Sequence, residues 1–476
     1  MHPSRKCLTA VAGLSAALLL LSLGGCAHYR PEPLAPAVRL ELMSRRTLAD
    51  EGLRNFMAGR RAATTNDWPR RSWDLGSLTF AAFYFHPDLE TARARWAVTE
   101  AARTTAAQRP NPSFVGGPSF TSTPGVPTPW FMWATLDIPI ETAGKRGKRM
   151  SVAEHLSDAA RLGVATAAWT VRARLRQAAL DWWNATEAET ALAAQSAAQR
   201  EVIRLLEVLH EAGEVALTDV ARERITLDRT EIALLDARNR RVTSRVRLAA
   251  AIGVPAAALD GVALAFDEFQ QPADAIPDGE ARERALLNRP DVLALLAEYA
   301  AAESAVQLEV ARQYPDIRPN PGYNFNKGED RWIFRFTVPL PVFHQNQGPI
   351  AEAEARRREV AARFDALQAA VIAEIDAALA GYDTARAGLE AATRTVAQLD
   401  HQVRRTEAAL AAGDASRLPV ALARVERSAA ALARLDARFK TLAALGQLEN
   451  ALQIPGEVTG FNELTAPTSA PDKNDP

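Results

Sequence analysis

Two periodicities divide this chain. Between Pro139 and Pro255 no proline interrupts a stretch filled with Ala, Leu, Arg, Glu and Gln, all good helix formers. Val220, Leu227 and Leu234 recur every seven residues, and Leu432, Leu435, Phe439 and Leu442 follow at three, four and three, as a coiled-coil seam requires. A helix from near Lys148 to near Glu211 would run roughly 100 Å, too long for one globule. A long antiparallel helical hairpin is therefore predicted near 145–254, turning at Gly213. A second is predicted near 346–454: Pro349 opens it, Gly413 interrupts it, Ser416 N-caps the outgoing helix with Pro419 in its first turn, and Pro455 closes it.

Ahead of each helical stretch the period changes to two. Trp332, Phe334, Phe336 and Val338 alternate with Ile333, Arg335 and Thr337; upstream, Tyr323 and Phe325 alternate with Asn324 and Asn326, and Lys327-Gly328-Glu329-Asp330 reads as the turn between them. In the first half Trp130, Met132, Ala134, Leu136 and Ile138 alternate with Phe131, Trp133, Thr135 and Asp137. The segment before them, from Phe114 to Phe120, is a weaker strand because Pro118 cannot donate a ladder bond. Strand hairpins are thus expected near 112–140 and 319–341. Each has one largely apolar face and one mixed face, which for an isolated hairpin fits a soluble fold with the apolar face on a core. The six prolines from Pro110 to Leu136, a run without acidic or basic residues, exclude a spanning helix there.

The chain is duplicated. His86-Pro87-Asp88-Leu89 matches Arg289-Pro290-Asp291-Val292 at an offset of 203, as does Pro112 with Pro315. From Pro139 and Pro339 onward the offset is 200, through Ala212-Gly213 with Ala412-Gly413, Val220-Ala221 with Val420-Ala421, and Pro255 with Pro455. Repeats are expected at 87–255 and 290–455, with an N-terminal arm at 26–86, a linker at 256–289 and a flexible tail at 456–476.

Arg5 and Lys6 precede an uncharged run from Cys7 to Tyr29 centred on four leucines, as a secretory signal does. Leu23-Gly24-Gly25-Cys26 resembles the lipobox of bacterial lipoproteins, which implies removal of residues 1–25 and acylation of Cys26; a plain signal peptide or an anchor helix fits the same run. By that resemblance Ala27, standing where lipoproteins kept in the inner membrane usually carry Asp, directs the anchor to the outer membrane.

Composition acts mainly by exclusion. Lys plus Arg number 56 against 57 Asp plus Glu, a net charge of -1, so general attraction to nucleic acid is absent. Cys7 and Cys26 are the two cysteines, leaving the body without a disulfide framework or thiolate cluster. The seven histidines are scattered without a ligand pair, and no phosphate-cradling glycine loop or nucleophile elbow occurs. No metal site, cofactor or enzyme activity is expected.

A tilted strand of roughly 9 to 11 residues crosses a bilayer, and sheets in lipid must close, with at least about 8 strands in bacterial barrels. One chain offers four strands. Three copies would supply twelve strands and twelve long helix segments around one axis.

With the duplicated strand and helix hairpins, the strand endings Asp137-Ile138-Pro139-Ile140 and Thr337-Val338-Pro339-Leu340-Pro341, and the turns Ala212-Gly213-Glu214-Val215 and Ala412-Gly413-Asp414, the chain resembles the TolC-like outer-membrane efflux family over nearly its whole mature length. The segment Glu141-Thr142-Ala143-Gly144-Lys145-Arg146-Gly147-Lys148-Arg149 looks like the heavy-metal efflux branch represented by CzcC. The resemblance implies an α+β membrane protein: a homotrimer whose 12-stranded β-barrel in outer-membrane lipid continues into a periplasmic α-helical barrel. It implies a passive conduit for small solutes, served by an inner-membrane pump and a periplasmic adaptor. Trp130, Met132, Leu136, Tyr323, Phe325, Trp332, Phe334 and Phe336 would face lipid, and Gly213, Glu214, Asp219, Gly413, Asp414 and Arg417 would form the gate or adaptor contact at the far end. Pro419 stands where the first repeat has Asp219, a departure from any gate with an acid at both positions. The rival readings are a periplasmic adaptor and a structural coiled-coil lipoprotein.

Overall fold

The computed structural model describes residues 29–59, 68–125, 130–270, 279–326 and 328–453, in two units divided at Arg45. The first unit contributes helix α1 (Pro36–Ser44), exposed along its length. Cys26, the signal segment and the tail at 456–476 lie outside the described residues.

The second unit is built twice. Helix α2 (Glu51–Gly59), strand β1 (Ser72–Trp73) and helix α3 (Leu75–Phe85) lead into α4 (Pro87–Ala107), β2 (Ser113–Phe120), β3 (Trp130–Asp137), α5 (Lys145–Glu211) and α6 (Leu217–Ile252). After β4 (Ala263–Leu264) and α7 (Gly279–Asn288), the order recurs as α8 (Pro290–Ala311), β5 (Arg318–Asn326), β6 (Glu329–Thr337), α9 (Gln347–Ala412) and α10 (Arg417–Leu452). At 67 and 66 residues, α5 and α9 each extend roughly 100 Å. Helix α5 packs on α3, α4, α6, α8 and α10, and α9 on α7, α8 and α10.

Side chains repeat as well as elements. Glu207 pairs with Arg224 at 2.5 Å between α5 and α6, and Glu407 with Arg424 at 2.6 Å between α9 and α10, both residues displaced by 200. The heptad leucines do what their spacing predicts: Val220 and Leu234 are buried, and Leu227 packs on the cluster of Val202, Ile203, Leu206 and Val220.

Helices α4 and α8 were not anticipated. Each opens with proline at its first position and an acid in its first turn, a start that suits the missing N–H and the helix dipole. The presumed linker also differs from expectation. Residues Leu259, Phe266 and Phe269 enter the main core beside Phe83, Leu175, Leu180, Trp183 and Leu248, and β4 pairs in parallel with β1 of the N-terminal arm. Isolated aromatics without periodicity gave no sign of this.

The four long strands form one antiparallel sheet in the order β2-β3-β5-β6. Pro118 sits in edge strand β2, where a missing donor costs least. Pro319 and Pro321 lie inside β5, yet the β5–β6 ladder is unbroken from Arg318 to Asn326. The Pro319 carbonyl accepts from Ile138 N–H at 3.1 Å, so its ring nitrogen also faces the β3 side. There the paired ladder runs only from Phe131–Asn326 to Thr135–Gly322. The second hairpin turn is shorter than expected: Glu329 pairs with Asn326 and Asp330 with Phe325, so Glu329 and Asp330 belong to β6.

Candidate functional site

In a pleated sheet, residues directly opposite one another share a face. Phe114, Pro118 and Phe120 of β2 stand opposite Leu136, Met132 and Trp130 of β3. Met132 stands opposite Phe325, Tyr323 opposite Trp332, Pro321 opposite Phe334, and Pro319 opposite Phe336. All eight residues assigned to lipid by sequence therefore lie on one face. Trp332, Phe334 and Phe336 are 74%, 83% and 75% exposed, so no core of this chain covers them. Ring pairs Phe120–Trp130 and Tyr323–Trp332, with centroids 5.0 and 5.1 Å apart, stiffen the surface. The Tyr323 hydroxyl donates to Asp330, the one acid on this face of the four strands.

The opposite face is polar. Ser113, Ser119, Thr135, Asp137, Arg318, Asn320, Asn324, Asn326, Glu329, Arg331, Arg335 and Thr337 lie on it, among Phe131, Trp133 and Ile333. Asn320 donates to Asp137 at 2.6 Å and accepts from Thr337 at 3.1 Å. Arg318 reaches Asp137 at 3.7 Å, and Arg331 pairs with Glu329 at 2.7 Å.

The basic segment at 141–149 joins strands to helices. Lys145 is buried; its ammonium donates to the Tyr314 carbonyl and to Asp316, both at 2.6 Å. Asp316 also accepts from Thr142 N–H at 3.1 Å. Burial would raise the Asp316 pKa, but the Lys145 ammonium and the Thr142 amide outweigh it and hold the carboxyl below its ordinary value. Arg146 and Arg149 donate to the Ala107, Ala106 and Gln108 carbonyls at the end of α4, and Arg149 pairs with Glu141 at 2.6 Å. In the second repeat Asn346, one residue ahead of α9, donates to the Glu309 carbonyl of α8 at 2.7 Å. Sequence reading saw a basic run here; that its charges close helix ends could be seen only from the fold.

At the far end both turns use a left-handed glycine, Gly213 at φ +80° and Gly413 at φ +82°. The next residue in each, Glu214 or Asp414, donates its N–H back to Leu209 or Ala409, both at 2.9 Å, in the helix-ending motif that glycine permits. Val215 and Leu418 pack on one cluster with Ala421, so the two turns lie side by side. Glu214, Asp414 and Arg417 are exposed, while Asp219 is half-buried with Arg222 3.5 Å away.

Among the described residues there is no helix long and apolar enough to cross a membrane and no cluster of His, Cys, Asp and Glu able to hold a metal ion.

A family model described as outer membrane efflux protein matches residues 84–254 and 281–452. The cobalt-zinc-cadmium resistance protein CzcC of Cupriavidus metallidurans is 28% identical over 233 residues, covering 46% of this chain and 52% of that protein; the alignment thus spans about half the relative. Among solved structures, CusC superposes with a TM-score of 0.65 at 17% identity, over 79% of this chain and 91% of its own. The outer membrane protein VceC of Vibrio cholerae gives 0.63 at 19%, over 81% and 96%. At these identities the structural likeness speaks for the fold.

Proposed function

The chain belongs to the outer membrane efflux protein family, and we propose that three copies close their sheets into a 12-stranded barrel in the outer membrane, forming a passive conduit for solutes delivered by an inner-membrane pump through a periplasmic adaptor. One observation carries this reading: a four-stranded sheet with an exposed aromatic face, a polar opposite face and two open edges. Open edges are untenable in lipid. The strands alternate in direction, so β6 of one copy can meet β2 of the next antiparallel without breaking the pattern. In this arrangement the eight residues from Trp130 to Phe336 contact lipid and the polar face lines the pore. Helices α5 and α9 extend the pore through the periplasm to the paired turns, where Glu214, Asp219, Asp414 and Arg417 meet the adaptor or narrow the exit. Cys26 carries the lipid anchor.

The rival readings, an adaptor or a coiled-coil scaffold, leave the aromatic face without a function. Likeness to CzcC makes heavy metals, as free ions or in complexes, the first solutes to test, and the pump rather than the chain selects which metal is delivered. Purified protein is expected to run as a trimer in detergent and to open discrete conductances in planar bilayers. A monomeric mass together with an absence of pores overturns the reading.

A further inference from the structure

Arg335 lies on the polar face of β6, opposite Asn320. The two acids of that face are committed elsewhere, Asp137 to Arg318 and Asn320, and Glu329 to Arg331. Among the described residues of that face, Arg335 is the cation without a carboxylate partner. Closing the sheet does not supply one. The other free edge is β2, whose polar-face residues are Ser113, Val115, Gly117 and Ser119, and the run from Pro110 to Leu136 contains no acid. The side chain is exposed, next to Ile333 and Thr337 on its own strand.

We propose that Arg335, repeated once per subunit, forms a ring of uncompensated positive charge that makes the barrel lumen prefer anions. This rests on the trimeric conduit proposed above. Charged rings set the sign of a pore's preference, and a low-dielectric wall weakens screening relative to open water. The solutes favoured are small anions and metal ions carried in anionic complexes; free divalent cations are opposed.

Two measurements test the proposal. In planar bilayers under a potassium chloride gradient, the reversal potential should lie toward chloride relative to Arg335→Gln and move toward potassium in Arg335→Glu, with conductance retained. Independently of the tip, Ile333→Cys should be labelled in intact cells by membrane-impermeant methanethiosulfonates, the anionic reagent gaining over the cationic one. Neutralising Arg335 in that background should shrink the ratio of the two rates about two- to threefold, the effect expected of a unit charge roughly 7 Å away in water at physiological salt. If pores form or the thiol reacts, but neither the reversal potential nor the rate ratio responds to Arg335, the selectivity assignment falls and the conduit stands. If no pores open and the Ile333→Cys thiol is shielded from both reagents while Trp332→Cys is not, the polar face does not line a lumen, and both proposals fall together.

Discussion

Gly446 has no side chain because Arg176 occupies the space: a Cβ built there would lie 2.1 Å from the guanidinium Nη1. Arg176 is buried, donates to the Leu442 carbonyl at 2.8 Å and lies 3.3 Å from Glu449. Burial depresses its pKa, Glu449 opposing. Gly→Ala inside a helix ordinarily gains about 1 kcal/mol. At this position it displaces a buried charge from hydrogen bonds that contribute about 1.5–3 kcal/mol each. Gly446→Ala should therefore destabilise the protein by about 1–2 kcal/mol, read by urea unfolding, and should turn stabilising in an Arg176→Met background. Destabilisation of equal size in both backgrounds would count against the clash. Such a pairing is invisible in sequence, where Arg176 reads as one more polar position on a long helix. The repeats hide a related exchange: Asp88 pairs with Arg174 at 2.7 Å in the first, whereas in the second Arg289 binds Asp291 at 2.7 Å and Glu374 at 3.0 Å. The positive charge has moved from the long helix to the residue that caps its neighbour, which an offset comparison of residue types registers only as mismatches.

Among the elements, those with a strict period were legible and those without one were not. The long helices, their glycine turns and the two hairpins follow from seven-residue and two-residue spacing. Helices α4 and α8 carry proline at their first position and little amphipathic contrast, so they read as punctuation before the strands. Helix α3, LGSLTFAAFYF, is apolar on nearly every side because Ser77 to Phe83 are buried without a break, which erases any period. The face assignment of the strands was accessible, since alternation alone puts Arg335 opposite to Trp332 and Phe336. What alternation could not give is which charges on the polar face are satisfied, because Asp137 and Arg318 meet only across the β3–β5 junction. A charge on the aromatic face tests that assignment. Trp332→Asp should reduce trimer in outer-membrane fractions several-fold, since an acid in the lipid-facing wall costs about 1–2 kcal/mol per chain near mid-bilayer and the ring carries three. Thr337→Asp, on the polar face, should assemble normally, and equal yields from the two variants would show that neither face meets lipid.

The two long helices are near twins in length and opposites in environment. Of the residues in α5, 22 are buried; of those in α9, six. Helix α5 is flanked by α3, α4, α6, α8 and α10, whereas α9 packs on α8 and α10, touches α7 near Ile375, and is otherwise mostly exposed. The sheet shows the same polarity, ending in β2 on one side and β6 on the other. A protomer with two dissimilar edges joins head to tail, and a ring forms when the rotation closes. Its vulnerability is then that of a chain with a terminator. A copy spoiled only at the open edge of β2, by Phe114→Pro and Phe120→Pro for instance, still offers β6 to a healthy neighbour and then blocks completion. Co-expressed in equal amount, it should leave about one assembly in eight intact if subunits mix at random, so efflux measured in such cells should fall well below half. A remaining activity of half or more would mean that damaged copies are never admitted. A lesion confined to one strand edge would thus be inherited as a dominant trait.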